Sequence, residues 1–242
     1  MHFQICIKQV PDVTASVDTG RMILNAYDAS AVEEALVLRD KYGGVIDLIL
    51  VGPSSASETI RKALAMGADS ATHVVCEDIS NFDSAAFAHI LADNLRDVDF
   101  DVVLCGKQAQ DTDAGLTGGM LAELLGLPFA TNAVGMDIEE SSMVVTRQGD
   151  SGREVLALPT PCLVTCSNDM NDPRIPKLKG IMAAKKKTIN TVDLANDPVP
   201  GVVFTGFADV PSRPAGVVFE GDVETSVDQL VEKLRNEAKV LS

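Results

Sequence analysis

Short apolar runs alternate with stretches of helical periodicity along the first part of the chain. Residues 3–10, FQICIKQV, read as a first strand. From Ala29 to Lys41 apolar residues recur at helical spacing (Ala31, Val32, Ala35, Leu36, Leu38), and Gly43 and Gly44 stop the helix. Val45–Val51 is apolar except for Asp47 and runs into Gly52 and Pro53, the pattern of a buried strand and a turn. Ser55 or Ser57 is predicted to cap a helix that runs to Met66 and closes at Gly67. Thr72–Cys76 reads as a strand, Ser84–Leu95 as a helix and Asp101–Cys105 as a short buried strand. Gly115–Leu125 reads as the next helix, ending near Gly126 and Pro128.

Strands apolar along their whole length belong to a parallel sheet covered on both faces, with right-handed crossovers. The predicted fold class is therefore α/β, with a doubly wound, mostly parallel sheet. In that class ligands bind beyond the carboxyl ends of the strands. The loops to examine are Lys8–Asp12, Gly52–Ser57 and Gly106–Gly119.

The texture changes further on. Residues 143–159 read as a hairpin turning at Gly149–Gly152, and CLVTC (162–166) as a last apolar strand. Residues 168–187 are turn-rich, and Pro173 and Pro176 are expected to forbid helix. After Lys187 only Val227–Lys239 looks helical, with Ser226 as its candidate cap. The expected organisation is one α/β domain over 1–187 and a C-terminal arm over 188–242 that packs on another subunit.

The formal net charge of −15 argues against a nucleic-acid or anionic-membrane partner, since both need clustered Lys and Arg. The opening MHFQICIKQV has no basic region leading into a long apolar run, and no apolar run reaches membrane-spanning length. The expected location is the cytoplasm. Cys6, Cys76 and Cys105 lie in strand-like contexts and are expected to be buried thiols, and no His or Cys set completes a zinc site with Cys162 and Cys166.

Residues 105–121, CGKQAQDTDAGLTGGML, carry the most chemistry. A strand ends, a polar glycine-containing loop follows and a helix begins, so unpaired backbone N–H groups and the helix dipole make an anion site. Gly115, Gly118 and Gly119 permit close approach of a phosphate, and the Thr117 hydroxyl can donate to it. No GK[ST] follows, so this is not a Walker loop. Lys8 ends the first strand at the same sheet edge, where a lone Lys is more often a solvated end than a ligand. Asn25 or Asp28 could simply cap the first helix, and Lys185–Lys187 reads as a solvated face or a subunit contact. No nucleophile–base pair is apparent, and Asp111 and Asp113 have no acid–base partner that can be named. Binding or carrying is favoured over catalysis.

Five segments in order resemble the beta subunit of electron-transfer flavoproteins: IKQVPD, NAYDASAVEEAL, GPSSASETIRKALAMGAD, GKQAQDTDAGLTGGM and LPTPCLVTCSNDMNDPRIPKLKGIMAAKKK. The resemblance covers nearly the whole chain. It implies an adenine-nucleotide-binding, Rossmann-like domain, and an electron carrier rather than a stand-alone enzyme. It implies a heterodimer with an alpha subunit that holds most of a redox-active FAD, and AMP bound structurally in this chain. Electrons would pass from an acyl-CoA dehydrogenase or another flavin dehydrogenase to a quinone oxidoreductase or similar acceptor. The positions matching the family's nucleotide contacts are Cys6, Asn25, Ala26, Tyr27, Asp28, Val51, Gly106, Lys107, Gln108, Ala109, Asp111, Asp113, Gly115, Leu116 and Thr117. Tyr27 and Val13 match places near the partner's flavin, and Leu178 matches an apolar anchor for docking dehydrogenases.

There are departures. Gly115 and Leu116 replace a frequent Asn-Gln, Val13 replaces an aromatic, and Gln148 stands where many members have Glu. The Thr-Gly-x-Met run at 117–120 favours AMP over the second FAD of electron-bifurcating members that oxidise NADH. A homodimeric ATP-binding module of similar topology is the remaining alternative.

Overall fold

The structure is a computed structural model that describes residues 1–12, 20–196, 198, 200–203, 205–206, 208–213 and 215–241. The chain forms two compact units, Met1–Phe204 and Thr205–Ser242.

The first unit is built on β1 (His2–Ile7), α1 (Ala26–Tyr42), β4 (Val45–Gly52), α2 (Ser57–Met66), β5 (Ser70–Val75), α3 (Ser84–Leu95), β6 (Val102–Gly106) and α4 (Thr117–Leu125). It continues with β7 (Phe129–Glu139), β8 (Ser142–Gly149), β9 (Gly152–Pro159), β10 (Cys162–Cys166), α5 (Leu178–Ala184) and β11 (Ile189–Asp193). A small ribbon, β2 (Gln9–Pro11) with β3 (Met22–Leu24), lies outside the main sheet. Among the described residues that sheet has nine strands in the order β11-β5-β4-β1-β6-β10-β7-β8-β9. It is parallel from β11 to β7, and β7, β8 and β9 form an antiparallel meander. The doubly wound α/β class follows.

The apolar runs form the central strands because both faces are covered. On one side Phe3, Ile5, Leu48 and Leu104 pack with Val32, Leu36, Ile60 and Leu64 from α1 and α2. On the other, Ile49, Val51 and Val103 pack with Ala88, Leu91, Leu95 and Leu121 from α3 and α4. Glycine lets α4 sit close: a Cβ on Gly118 would lie 2.5 Å from the Thr165 methyl. From β1 the chain moves outward through β4 and β5, then crosses to β6 on the other flank of β1. The carboxyl ends of β1 and β6 therefore form the topological switch point.

Several expectations change. The first strand stops at Ile7, because Lys8 turns its N–H onto the Asp28 carboxylate and the chain re-forms as β2. The predicted start of α4 at Gly115 moves to Thr117. Asn25 occupies the N-cap position of α1 without a side-chain cap bond, and α2 also lacks one, so neither Ser55 nor Ser57 caps as expected. Residues 178–184 are helical despite the preceding prolines. Strand β11 pairs with β5, so the first unit extends past residue 187, the predicted boundary. In the second unit, α6 (Val223–Asn236) starts earlier than predicted, and Asp222, not Ser226, caps it by accepting the Thr225 N–H. No described helix is long and apolar enough to cross a membrane.

Candidate nucleotide site

A cavity of about 290 Å³ opens at the switch point. Its floor is the end of β1 and β6, where Cys6 and Cys105 stand side by side in register. The start of α1 supplies Asn25 and Asp28, and β4 supplies Val51. The β6–α4 loop supplies Gly106, Lys107, Gln108 and Ala109, and then Gly115, Leu116 and Thr117 at the entry to α4.

Asp28 organises this corner. It is buried, and its Oδ2 accepts the Lys8 N–H at 2.6 Å. Its Oδ1 accepts the Gly106 N–H at 3.1 Å and the Asn25 amide at 3.0 Å. Burial nevertheless pushes the carboxyl up to about 7, against those hydrogen bonds, which favour the anion. Only glycine fits at 106, since a Cβ there would lie 2.2 Å from Asp28 Oδ1 and 2.8 Å from the Tyr27 Cβ.

Asn25 and Gln110 lace the loop to α1. Asn25 Nδ2 donates to the Gln108 carbonyl at 2.9 Å, and Asn25 Oδ1 accepts the Gln110 N–H at 3.1 Å. Gln110 in turn accepts the Ala26 N–H at 3.0 Å. Asp113 takes the left-handed conformation, with φ at 55°, and accepts from the Gln108 amide at 2.7 Å. Lys8 is no free solvated end: its Nζ lies 2.9 Å from both Asp111 oxygens and 5.6 Å from the centre of the Phe87 ring. At α4 no side-chain hydrogen bond caps the first turn among the described residues, and Leu116, Thr117 and Gly118 at its start line the cavity.

The sequence-predicted residues divide into two groups. Cys6, Asn25, Asp28, Val51, Gly106, Lys107, Gln108, Ala109, Gly115, Leu116 and Thr117 line the cavity. Ala26, Tyr27, Asp111 and Asp113 do not, and the last two brace the loop from behind. Val13 lies outside the described residues. Leu178 is far along the chain at the start of α5 and 76% exposed.

One wall was not foreseen. Phe82 and Asp83 before α3, and Ser84, Ala85, Phe87 and Leu91 within it, form this wall with Val202. Phe82 and Phe87 meet edge to face with centroids 5.6 Å apart. Asp83 caps α3 by accepting the Ala86 N–H and also accepts the Val202 N–H, which fastens the Val202 segment over the wall. A capping Asp after strand β5 was the available signal, because α3 begins at the same end of the sheet as the other loops.

Two thiols, Cys6 and Cys105, meet on the cavity floor. The Cys6 thiol is held well above its ordinary range by a hydrogen bond with Cys105 and by burial. Cys162 and Cys166 are also raised by burial, and Cys76 is half-exposed rather than buried as expected. The arrangement offers an anion-binding helix start, an apolar wall and a buried carboxyl. That suits holding a nucleotide more than transforming one.

Comparison with known proteins gives the family. Residues 13–197 match the family model described as an electron transfer flavoprotein domain. The chain belongs to the electron transfer flavoprotein family. It is of the beta-subunit type: the electron transfer flavoprotein subunit beta of Thermoanaerobacterium thermosaccharolyticum is 32% identical, over 98% of each chain. The mitochondrial electron transfer flavoprotein subunit beta of Oryza sativa subsp. japonica is 38% identical, over 100% of this chain and 96% of its own. A third relative, the caffeyl-CoA reductase-Etf complex subunit CarD of Acetobacterium woodii, is 35% identical over 97% of this chain and 98% of its own. The role of this electron transfer flavoprotein chain is in electron transfer, as a carrier associated with flavin and with an alpha-type partner.

Proposed function

We propose that this chain, paired with an alpha subunit, carries electrons from a flavin dehydrogenase to a quinone oxidoreductase or similar acceptor, with AMP bound in the switch-point cavity. The observation that carries the nucleotide reading is the cavity itself. At about 290 Å³ it falls just below the roughly 300–1,000 Å³ range of small-molecule sites, which suits one mononucleotide better than a dinucleotide.

The residues present fit AMP. The phosphate would rest on the N–H groups at the start of α4, with the Thr117 hydroxyl as a further donor. Gly115 keeps the loop compact there, since a Cβ would lie 3.1 Å from the Lys107 carbonyl oxygen. The base would lie against Val51 and the aromatic pair Phe82 and Phe87, with the Asp28 carboxyl as a polar partner. The FAD held mostly by the alpha subunit supplies the redox chemistry. This chain's part is to hold its neighbour in place, with Tyr27 toward the flavin, and to present Leu178 to the donor dehydrogenase.

A second reading rests on the Acetobacterium woodii relative, whose name joins an Etf complex to a CoA-thioester reductase. Under it the chain holds a second FAD, and the assembly bifurcates electrons from NADH. Nucleotide content separates the two. The chain is co-expressed with its alpha subunit, the complex is denatured and the released nucleotides are quantified by chromatography. One FAD and one AMP are expected. Two FAD without AMP would establish the second reading, and ATP with no flavin would remove both.

A further inference from the structure

The segment between Pro173 and Met182 displays apolar side chains to solvent: Ile175 is 88% exposed, Leu178 76%, Met182 55% and Ile181 44%. Single exposed apolar residues are ordinary, but a contiguous group of them marks a surface that meets something. An exposed, proline-bounded segment should be mobile, and immobilising it on binding would cost affinity. This one is held down.

Arg174 does the holding. Its Nε lies 3.0 and 2.8 Å from the two Glu33 oxygens, and its Nη2 lies 2.9 Å from Glu33 Oε1. Its backbone N–H donates to the same carboxylate at 3.0 Å, and Nη1 reaches Asp40 at 3.3 Å. The Glu33 side chain is only 9% exposed. Three residues earlier, Asn171 Nδ2 donates to the Ser30 carbonyl at 3.1 Å and to Glu34 at 3.0 Å. All four acceptors lie on α1, which is anchored in the sheet core through Val32, Ala35 and Leu36. Next to Arg174, which is held on α1, Ile175 faces solvent.

We infer that Arg174, clamped on Glu33, is a positioning residue for partner docking: it sets the segment that presents Ile175 and Leu178 to the flavin dehydrogenase before the two proteins meet. This rests on the proposed reading of Leu178 as a docking anchor. The planar fork is the device, because Nε and Nη2 meet Glu33 while Nη1 reaches Asp40, and a single ammonium has no separate nitrogens to hold both carboxylates in that plane. The adjacent buried Glu33 and Glu34 account for two polar groups that the apolar stripe of α1 leaves unexplained.

The test uses the heterodimer with its flavin, as electron acceptor for an acyl-CoA dehydrogenase supplied with its acyl-CoA substrate. KM for the heterodimer and kcat are measured for wild type, Leu178→Ala, Arg174→Gln, Arg174→Lys and the double variant L178A/R174Q. Flavin content and thermal melting serve as controls. Leu178→Ala should raise KM by about tenfold, the scale of one interface anchor. Arg174→Gln should raise KM comparably at unchanged kcat and flavin content, and Arg174→Lys should rescue little of it. The double variant should be no worse than the worse single one, since both act through one segment. An unchanged KM in Leu178→Ala would remove the docking reading, and this inference with it. A shifted KM in Leu178→Ala beside a wild-type KM in Arg174→Gln would overturn the inference alone, as would fully multiplicative effects in the double variant. Should Arg174→Gln fail to assemble, Glu33→Gln takes its place. It keeps the arginine and removes the charge it grips, and a wild-type KM there also overturns the inference.

Discussion

Asp28 shows how one side chain can serve architecture at a cost that depends on pH. The N–H of Lys8, just past β1, and that of Gly106, the last residue of β6, both end on its carboxylate, so the ends of the two strands are tied to the first turn of α1 through a single residue. Burial raises its pKa from 3.8 to about 7. Between those values the folded chain holds a proton that the unfolded chain has lost. The stabilisation is therefore fully present below the unfolded value and disappears as pH rises through about 7. Unfolding free energy from urea titrations should fall by about 2–3 kcal/mol between pH 5 and pH 8 on this account. Asp28→Asn keeps one acceptor and turns an NH₂ toward a backbone N–H. It should cost roughly 1–3 kcal/mol at pH 5 and flatten the slope. An Asn variant with the wild-type slope would assign the pH dependence to other groups.

At the scale of elements, what was legible followed burial. The apolar strands of the parallel sheet were readable because both faces are covered, and the hairpin of β8 and β9 because its turn residues are explicit. Helix α5 was not readable, because its support comes from outside itself. Arg61 donates to the Ala184 and Lys187 carbonyls at 2.6 and 2.7 Å, closing the end of α5. Lys187 returns the favour to α2, donating to the carbonyls of Leu64, Gly67 and Ala68. Such reciprocal capping joins residues far apart in sequence, and a run of lysines gives no hint of it. The half-exposed strand β11 was missed for a similar reason: it is an edge strand that exists through its pairing with β5. Gly180 tests the α2–α5 seat. In an isolated helix Gly→Ala stabilises by about 0.5–1 kcal/mol. Here a Cβ would lie 2.5 Å from the Ala65 carbonyl oxygen, a backbone atom of α2. Gly180→Ala should therefore destabilise, by roughly 1–3 kcal/mol, and amide exchange over 178–184 should quicken. A stabilised variant would mean that α5 rides on α2 more loosely than this contact requires.

For the molecule as a whole, the cavity gathers segments that the chain keeps far apart: residues 6–8, 25–28, 51, 82–91, 105–120 and 202. The β6–α4 part of the site was legible, because a glycine-rich strand-to-helix turn announces itself locally. The α3 wall was not, because its residues read as ordinary helix and become a wall only when the sheet brings strand ends together. A nucleotide seated there would act as a cross-link among elements of both sheet faces. It would stabilise the fold by mass action, about 2.7 kcal/mol at a hundredfold excess over Kd and about 4 kcal/mol at a thousandfold excess. The two halves of the ligand should be separable. On the proposed reading the apolar wall would take the base, and the start of α4 with Thr117 would take the phosphate. With nucleotide stripped from the complex, added AMP should raise the melting temperature far more than adenosine does at equal concentration. Thr117→Val should shrink the AMP response and leave the adenosine response in place. Equal responses to AMP and adenosine in the wild-type complex would show that the start of α4 binds no phosphate. The cavity would then be a site for an apolar ring alone.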